Sequence, residues 1–282
     1  MEFFKRLFGI GPKVDWDDVR RSLDSKIIGL RKPAVRIVKT DRKTTSRFGG
    51  KPHADSDQFI WPESNGKPMA FLAQLDLSEI ARQVKYEWLS DEGFVLIFYD
   101  VLEMPWGFDP KDRGKWCVLY QKTCGIEVDY PPHIDESAKI KSSFIAFRRV
   151  EILPDCDDDS VKKRNLTDEE IDLYIEADGE DEDGSPLHQI GGFPSPVQGN
   201  FMELESHLAS NGIYLGDGKG FESKEAKALE AGAKEWKLLL QFDSDDDLDV
   251  MWGDLGMIYV WVQESKARQN QFDNCWLILQ CG

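Results

Sequence analysis

The sequence predicts an α+β protein that is β-rich, with two similar halves whose antiparallel sheets are related by internal duplication and packed into one globular unit. Predicted strands outnumber helices and do not alternate with them strictly, which argues against a parallel β-α-β sheet. One order of motifs also occurs twice: a Gly-Gly-x-Pro turn, an apolar strand with Gln before its final Asp, and a Gly-led apolar strand. The motifs are FGGKP at 48–52, FLAQLD at 71–76 and GFVLIF at 93–98, then IGGFP at 190–194, LLLQFD at 238–243 and GMIYVW at 256–261.

The repeated order divides the chain into an N-terminal helical segment at 1–29, a first half at 30–160 and a second half at 161–282. An acidic loop with glycines at 178–184 is typical of an exposed connection between units, so we place the boundary near it. Two similar halves enclose a groove, and grooves are places where ligands bind.

Before the first repeat, an amphipathic turn is expected at 1–12, a helix at 15–23 and a strand with alternating apolar residues at 33–40. A strand at 68–75 follows the first Gly-Gly turn, which Gly and Pro make tight.

A helix follows this strand and continues over 80–88, because Asp76 and Glu79 have the spacing of a capping box. The run at 93–101 is apolar on both faces and predicts a central strand. Further strands are predicted at 116–120 and 143–153.

In the second half, a capping box of Thr167 and Glu170 predicts a helix that continues to residue 177. Surface helices are expected at 200–209 and 223–233. Strongly apolar, β-branched or aromatic runs predict strands at 236–242, 255–262 and 275–279.

Composition excludes some classes of function. The chain has 35 Lys and Arg against 52 Asp and Glu, a net charge of −17, which argues against a nucleic-acid partner. Such a charge favours a basic protein partner or simply provides high solubility, and the second interpretation is preferred on this evidence alone. The five cysteines form no C-x-x-C pair, so no zinc site or disulfide framework is predicted. No secretory leader or membrane span is recognised, and we expect a cytoplasmic protein without membrane contact.

The acidic segment at 243–254 is the strongest metal candidate. Asp243, Asp245, Asp247 and Asp254 occupy positions of a calcium-loop frame. However, Leu248 stands where that loop needs Gly, and the last ligand is Asp instead of the longer Glu. A solvated acidic turn is therefore the preferred interpretation, and no cofactor is predicted.

No other motif supports catalysis. The four histidines are scattered, and the serine-hydrolase elbow, the Walker loop and the dinucleotide fingerprint are missing from the sequence. Cys117 and Cys275 lie in apolar strands, where Cys usually acts as a small buried hydrophobe.

Gln74 and Gln241 are polar residues in otherwise apolar strands, each followed by an Asp, Asp76 or Asp243. The favoured interpretation is that each amide hydrogen-bonds the backbone of a Gly-Gly-x-Pro turn. The alternative is that the four residues line the groove, together with Trp252, and bind the backbone of a peptide.

The same residues resemble the YwqG-like family, a bacterial domain of unknown function, over about residues 30 to 282. The first half contributes SRFGGKP at 46–52, WP at 61–62, FLAQLD at 71–76 and the strand after Gly93. The second half contributes IGGFPSPVQ at 190–198, WKLLLQFD at 236–243, MWGDLGMIY at 251–259 and LQC at 279–281.

This resemblance implies likeness to eukaryotic programmed-cell-death and ribosome-biogenesis proteins that chaperone a basic ribosomal protein. Some bacterial members are suspected immunity proteins, and no catalytic residue is implied. We therefore expect a non-enzymatic protein-binding module, chaperone-like or an immunity protein, that binds a basic polypeptide. The alternative is a metal-dependent hydrolase that uses the acidic segment at 243–254.

Overall fold

The computed structural model describes residues 14–55, 59–179 and 185–282. The amphipathic turn predicted at 1–12 lies outside the described residues, as does most of the acidic loop predicted at 178–184.

The described residues form two compact units, one from 14–32 with 153–179 and one from 33–152 with 185–282. The helices are α1 (Trp16–Ile27), α2 (Leu77–Ala81), α3 (Asp159–Lys162), α4 (Asp168–Gly179), α5 (Met202–Ser210), α6 (Lys224–Leu229) and α7 (Glu264–Ala267). The strands are β1 (Lys32–Lys39), β2 (Arg47–Phe48), β3 (His53–Ala54), β4 (Glu63–Ser64), β5 (Lys67–Pro68), β6 (Ala70–Asp76), β7 (Phe94–Tyr99), β8 (Trp116–Gln121), β9 (Ile126–Glu127), β10 (Ser143–Ile152), β11 (Gln189–Gly191), β12 (Trp236–Asp243), β13 (Met257–Gln263) and β14 (Trp276–Gln280). None of the helices in this part of the chain has the length and apolar character of a membrane span.

The first unit is helical, and its core lies where α1 meets α4. Leu23 and Ile27 lie on one face of α1 and are buried with Tyr174 of α4. Helix α1 begins after Asp15 because that carboxylate accepts hydrogen bonds from two backbone N–H groups of the first turn.

The capping box predicted at the start of α4 is confirmed. Glu170 accepts the Thr167 backbone N–H at 2.7 Å, and the Thr167 hydroxyl accepts the Glu170 N–H at 3.3 Å. Glu170 also accepts hydrogen bonds from the Ser22 hydroxyl and the Lys26 ammonium, each at 2.6 Å. Burial alone would raise the pKa of Glu170, but these hydrogen bonds hold it below its usual value.

The second unit contains a large, nearly closed antiparallel sheet of ten strands in the order β14-β13-β12-β11-β1-β10-β2-β6-β7-β8. The β-rich α+β class predicted from the sequence is thus confirmed. The two edge strands approach each other where the rings of Trp116 and Trp276 meet edge to face at 4.9 Å. The Trp116 indole N–H donates to the Cys275 carbonyl, and that of Trp276 donates to the Gly107 carbonyl.

Both Gly-Gly turns have the left-handed conformation that glycine adopts without strain. The φ angles are 53° and 69° at Gly49 and Gly50, and 64° and 68° at Gly191 and Gly192. A Cβ atom at Gly191 would lie 2.4 Å from the Tyr86 hydroxyl, so the close approach also needs glycine.

The two Gln-containing strands carry matching irregularities. The register shifts between Phe71 and Ala73 in the pairing of β6 with β7, and between Leu238 and Leu240 in that of β12 with β13. Each shift directly precedes the Gln. Such bulges increase the local twist, which helps a large sheet to curl toward closure.

The core of the second unit joins residues from both repeats. Phe48 of β2 stacks on Phe242 of β12 with ring centroids 4.6 Å apart, and His188 lies against both rings at 4.7 and 4.9 Å. Trp252 packs edge to face on Phe242 at 5.6 Å.

The prediction that the helix after Asp76 continues over 80–88 is wrong, because α2 ends at Ala81. Val84 and Trp88 are buried, and the Tyr86 hydroxyl between them donates to the Ile190 carbonyl at 2.9 Å. In a helix, residue 86 would face away from residues 84 and 88, so the segment cannot stay helical and keep all three contacts.

The prediction that Asp76 starts this helix as its N-cap is confirmed, since its carboxylate accepts the Ser78 backbone N–H at 2.9 Å, but the reciprocal bond expected from Glu79 is replaced. The Asp76 backbone N–H donates to the Ser46 hydroxyl at 2.9 Å, and that hydroxyl donates to Glu79 at 2.6 Å. The Ser46 hydroxyl therefore bridges the Asp76 backbone N–H and the Glu79 carboxylate, which were expected to bond each other directly.

The helix predicted at 200–209 forms as α5, but the prediction that it is a surface helix is wrong. Its Met202, Glu205 and Leu208 are buried. The helix packs on β12 and β14, which a local pattern cannot predict.

Candidate functional site

A polar recess of the second unit is an acidic cleft of about 370 Å³ at the end of β12. Its walls come from β1, the segment before β11 and the turn between β12 and β13. The lining residues are Lys39, Ser185, Pro186, Asp243, Ser244, Asp245, Asp246, Asp247, Met251 and Leu255. Four of them are acidic and one is basic, so the cleft favours cations.

Lys39 of β1 is held between two carboxylates of this cleft. Its ammonium lies 2.7 Å from Asp245 Oδ1 and 2.7 Å from Asp247 Oδ2. Burial alone would lower the pKa of Lys39, but the hydrogen bonds and charges of both carboxylates raise it above its usual value. An amine of the chain itself therefore occupies the position between these two acids.

His188 is the buried partner of Asp245. Its Nε2 lies 3.1 Å from Asp245 Oδ2, and its Nδ1 accepts the backbone N–H of Asp243 at 3.1 Å. Because Nδ1 is an acceptor, the ring proton must be on Nε2, which donates to Asp245. Burial lowers the pKa of His188, outweighing the carboxylate, and the ring is neutral.

Asp245 is ionised in the same cluster. Burial alone would raise its pKa, but the hydrogen bonds from His188 and Lys39 hold that pKa well below its usual range. For Asp243, burial dominates and raises the pKa. The cleft thus combines a carboxylate that stays ionised, Asp245, with one that gains a proton more readily, Asp243.

His188 is not placed to act as a general base in the cleft. Both nitrogens of His188 already have hydrogen-bond partners, and its side chain is 2% exposed. The Ser244 hydroxyl donates to the Gly256 carbonyl at 2.8 Å and accepts the Trp252 N–H at 3.0 Å. A Ser–His nucleophile would need these two side chains to bond each other. Ser244 and His188 are therefore not arranged as a nucleophile and its base, whereas the carboxylates of the cleft can hold a cation.

The four metal candidates do not come together as a ligand set. Asp243, Asp245 and Asp247 line the cleft, whereas Asp254 is not part of its lining. Leu248, which replaces the glycine of a calcium loop, is completely buried and anchors the turn. Within the described ranges, three ligand atoms within metal-binding distance occur only at residues 155–157, on the surface of the first unit.

Gln74 and Gln241 are fully buried and bond the backbone beside the Gly-Gly turns. The amide of Gln74 accepts the His53 N–H and donates to the Thr45 carbonyl, both at 2.9 Å. The amide of Gln241 accepts the Ser195 N–H at 2.9 Å and donates to the Leu187 carbonyl at 2.7 Å. The favoured interpretation placed these bonds on the Gly-Gly-x-Pro turns themselves, whereas the backbone partners in the structure flank the turns.

The sequence reasoning missed a second pair of glutamines. Gln121 accepts the Asp55 N–H at 3.0 Å, and Gln280 accepts the Val197 N–H at 3.0 Å. They lie at the ends of β8 and β14, opposite Phe94 and the equivalent first residue of β13. Each Gln occupies the same position in the strand that follows the Gly-led strand of its repeat. This shared position was the signal that could have identified them.

The remaining groove candidates lie apart from the cleft. Asp76 caps α2 and accepts the Thr45 hydroxyl at 2.7 Å. Trp252 is 2% exposed and its indole N–H donates to the Asp243 carbonyl. Of the five candidates, Asp243 lines the cleft and the other four are not among its lining residues.

Comparison with known proteins gives one positive result. No curated protein matches the chain. A family model, described as a domain of unknown function, matches residues 46–281, which include both Gly-Gly turns and all the residues of the Gln74 and Gln241 hydrogen bonds except Thr45. The chain therefore belongs to this family, the domain of unknown function DUF1963.

Proposed function

We propose that this protein is a non-enzymatic binding module whose acidic cleft takes a basic side chain of a polypeptide partner. The observation that carries the proposal is the lining of the cleft, where four carboxylates surround one ammonium. The net charge of −17 adds a long-range attraction for a basic partner.

The rim of the cleft suits a long basic side chain. Asp246 and Asp247 are exposed, so a guanidinium or ammonium group can reach them from solvent. Met251 and Leu255 beside them are 46% and 70% exposed. A Lys or Arg side chain can place its charge on the acids and its methylene groups on these apolar neighbours.

The matching turns, bulges and glutamine hydrogen bonds support a further part of the proposal, that the two repeats arose by internal duplication. The resemblance to the YwqG-like family supports a chaperone-like or immunity role for the binding module. The hydrolase alternative has no comparable support, because His188 lacks a free nitrogen and the acids of the cleft already hold Lys39.

The test is fluorescence anisotropy with a dye-labelled peptide of alternating Arg and Leu, compared with the same peptide carrying neutral citrulline for Arg. We expect the Arg peptide to bind, and the double variant Asp246→Asn/Asp247→Asn to weaken binding about two- to thirtyfold, since each exposed ion pair contributes about 0.2–1 kcal/mol. The control is Glu222→Gln/Glu225→Gln, which removes the same charge from exposed positions near α6.

Equal losses in the two double variants would show that net charge, and not the cleft, attracts the peptide. Equal binding of the Arg and citrulline peptides would also overturn the proposal.

A further inference from the structure

Lys39 of β1 makes two ion pairs in the acidic cleft, and the two differ in burial. Its ammonium lies 2.7 Å from an oxygen of Asp245 and 2.7 Å from an oxygen of Asp247. The Asp245 side chain is 1% exposed, whereas that of Asp247 is 78% exposed. Loss of one partner of a buried ion pair is costly, but an exposed pair contributes little because water replaces either partner. Lys39 is therefore fixed to Asp245 and exchangeable at Asp247.

The turn that carries Asp247 is held by contacts that do not involve Lys39. Asp245 and Val250 exchange two backbone hydrogen bonds, at 2.9 and 3.2 Å, and Leu248 within the turn is completely buried. The Asp247 backbone N–H also donates to Asp245 Oδ1 at 2.9 Å. The bond from Lys39 to the exposed carboxylate of Asp247 thus adds little to the shape of the turn.

Lys39 occupies a carboxylate that a cationic ligand would also use. Asp247 is one of the two exposed acids at the rim of the cleft, and the other is Asp246. The Lys39 side chain lines the same cleft and is 26% exposed. Its ammonium holds Asp247 Oδ2 and neutralises part of the charge that attracts a ligand. An incoming cation must share this carboxylate with a like charge or displace the ammonium.

On the basis of the function proposed above, we propose that Lys39 is an autoinhibitory ligand of the acidic cleft, which a basic side chain of the polypeptide partner displaces from Asp247. The displaced ammonium keeps its ion pair with Asp245, so the exchange leaves no buried carboxylate without its cation. A single free amine gains little, because it only exchanges one exposed ion pair for another. A polypeptide that bonds Asp246 at the same time gains a second pair. The contact of Lys39 with Asp247 therefore selects for ligands with several basic groups.

The experiment measures the affinity of the dye-labelled Arg and Leu peptide for the full chain by fluorescence anisotropy. Lys39→Met removes the competing ammonium, but it also makes the cleft more negative. The double variant Lys39→Met/Asp245→Asn removes one charge of each sign and still releases Asp247, and it buries no carboxylate without a cation. We expect both variants to bind the peptide about two- to fivefold more tightly than the wild type, the range for one exposed ion pair.

Lys141→Met is the matched control for the loss of a positive charge. Lys141 is exposed beside the same turn, where its backbone N–H donates to the Leu248 carbonyl, but it is not among the residues that line the cleft. We expect it to change the affinity less than either Lys39 variant does. Circular dichroism checks that each variant folds.

The outcomes separate this role of Lys39 from the proposed function itself. Wild-type affinity in the folded double variant would overturn the role of Lys39 and leave the proposed function intact. Equal gains in Lys141→Met and Lys39→Met would also overturn it, because net charge alone would then explain the effect. Absence of peptide binding in the wild type and in both Lys39 variants would overturn the two proposals together.

Discussion

Replacement of Glu205 by Gln should stabilise the protein, and more so at higher pH. Glu205 lies on α5, is 9% exposed, and its Oε2 has no hydrogen-bond partner within the described residues. Burial first, and the charge of Glu203 second, raise the pKa of this carboxyl from 4.5 to about 7. A buried carboxyl without a partner is easier to keep protonated than to ionise.

The magnitude follows from the two pKa values. In the unfolded chain Glu205 ionises near pH 4.5, so between that pH and about 7 the unfolded state binds fewer protons and folding stability falls as pH rises. Each tenfold change in proton affinity is worth about 1.4 kcal/mol, so ionising Glu205 in the folded state at pH 8 costs about 3 kcal/mol. At pH 5 the cost is about 1 kcal/mol, because most of the folded protein is still protonated there.

The assay is urea unfolding of the wild type and Glu205→Gln at pH 5 and pH 8, followed by tryptophan fluorescence. The expected gain in the free energy of unfolding is about 2 kcal/mol larger at pH 8 than at pH 5. Glu203→Gln is the matched control, since it removes a less buried carboxylate from the same helix and should change the free energy by less than about 1 kcal/mol. An equal gain for Glu205→Gln at both pH values would refute the reasoning.

Three further predictions rest on the contacts of Gln241, Gly191 and His188 described above. Gln241→Leu leaves the Ser195 N–H and the Leu187 carbonyl, which belong to half-buried residues, without this partner, so urea unfolding should show a loss of about 1–3 kcal/mol, and a loss below about 0.5 kcal/mol would contradict the bonds described. Gly191→Ala should lower the melting temperature more than Gly212→Ala, because both positions have positive φ but only Gly191 faces an atom within 4 Å, and equal losses would contradict this. In the Glu205→Gln background, stability should fall as pH decreases from 7 to 5, because burial lowers the pKa of His188, and likewise those of His53 and His207, below the value of about 6.5 of an unfolded histidine. A flat profile would contradict a neutral His188 in the native state.

The strands and turns could be predicted from the sequence because their causes are local. An apolar run such as 236–242 and a Gly-Gly-x-Pro turn each depend on a few adjacent residues. The end of α2 at Ala81 could not be predicted from the sequence, because it depends on the hydrogen bond between the Tyr86 hydroxyl and the carbonyl of Ile190, which is distant in the sequence. Burial of Glu205 was equally out of reach, since the acidic residues of α5 resemble those of a solvated helix.

The acidic segment at 243–254 was identified from the sequence, but its partners were not. Lys39 reaches Asp245 across 206 residues of sequence, and His188 reaches it across 57. A metal site and a site filled by lysine have the same local pattern of carboxylates. Only the packing of β1 and β11 beside the turn distinguishes them.

The two repeats also indicate where function resides. Ser46 and His188 make equivalent hydrogen bonds with different side chains. Each accepts the backbone N–H of the Asp that ends the Gln-containing strand of its repeat, β6 or β12, and each also bonds a nearby carboxylate. The glutamines whose amides bond the backbone beside the turns are the same in both repeats. They therefore explain the fold and do not explain a function specific to one repeat. The charged groups differ: the second repeat has the acidic cleft after Asp243, and the first has the buried Arg47 at the position where the second has the neutral Gln189. The scaffold accommodates both sets of charged residues. The positions at which the two repeats differ are therefore the ones at which to test function.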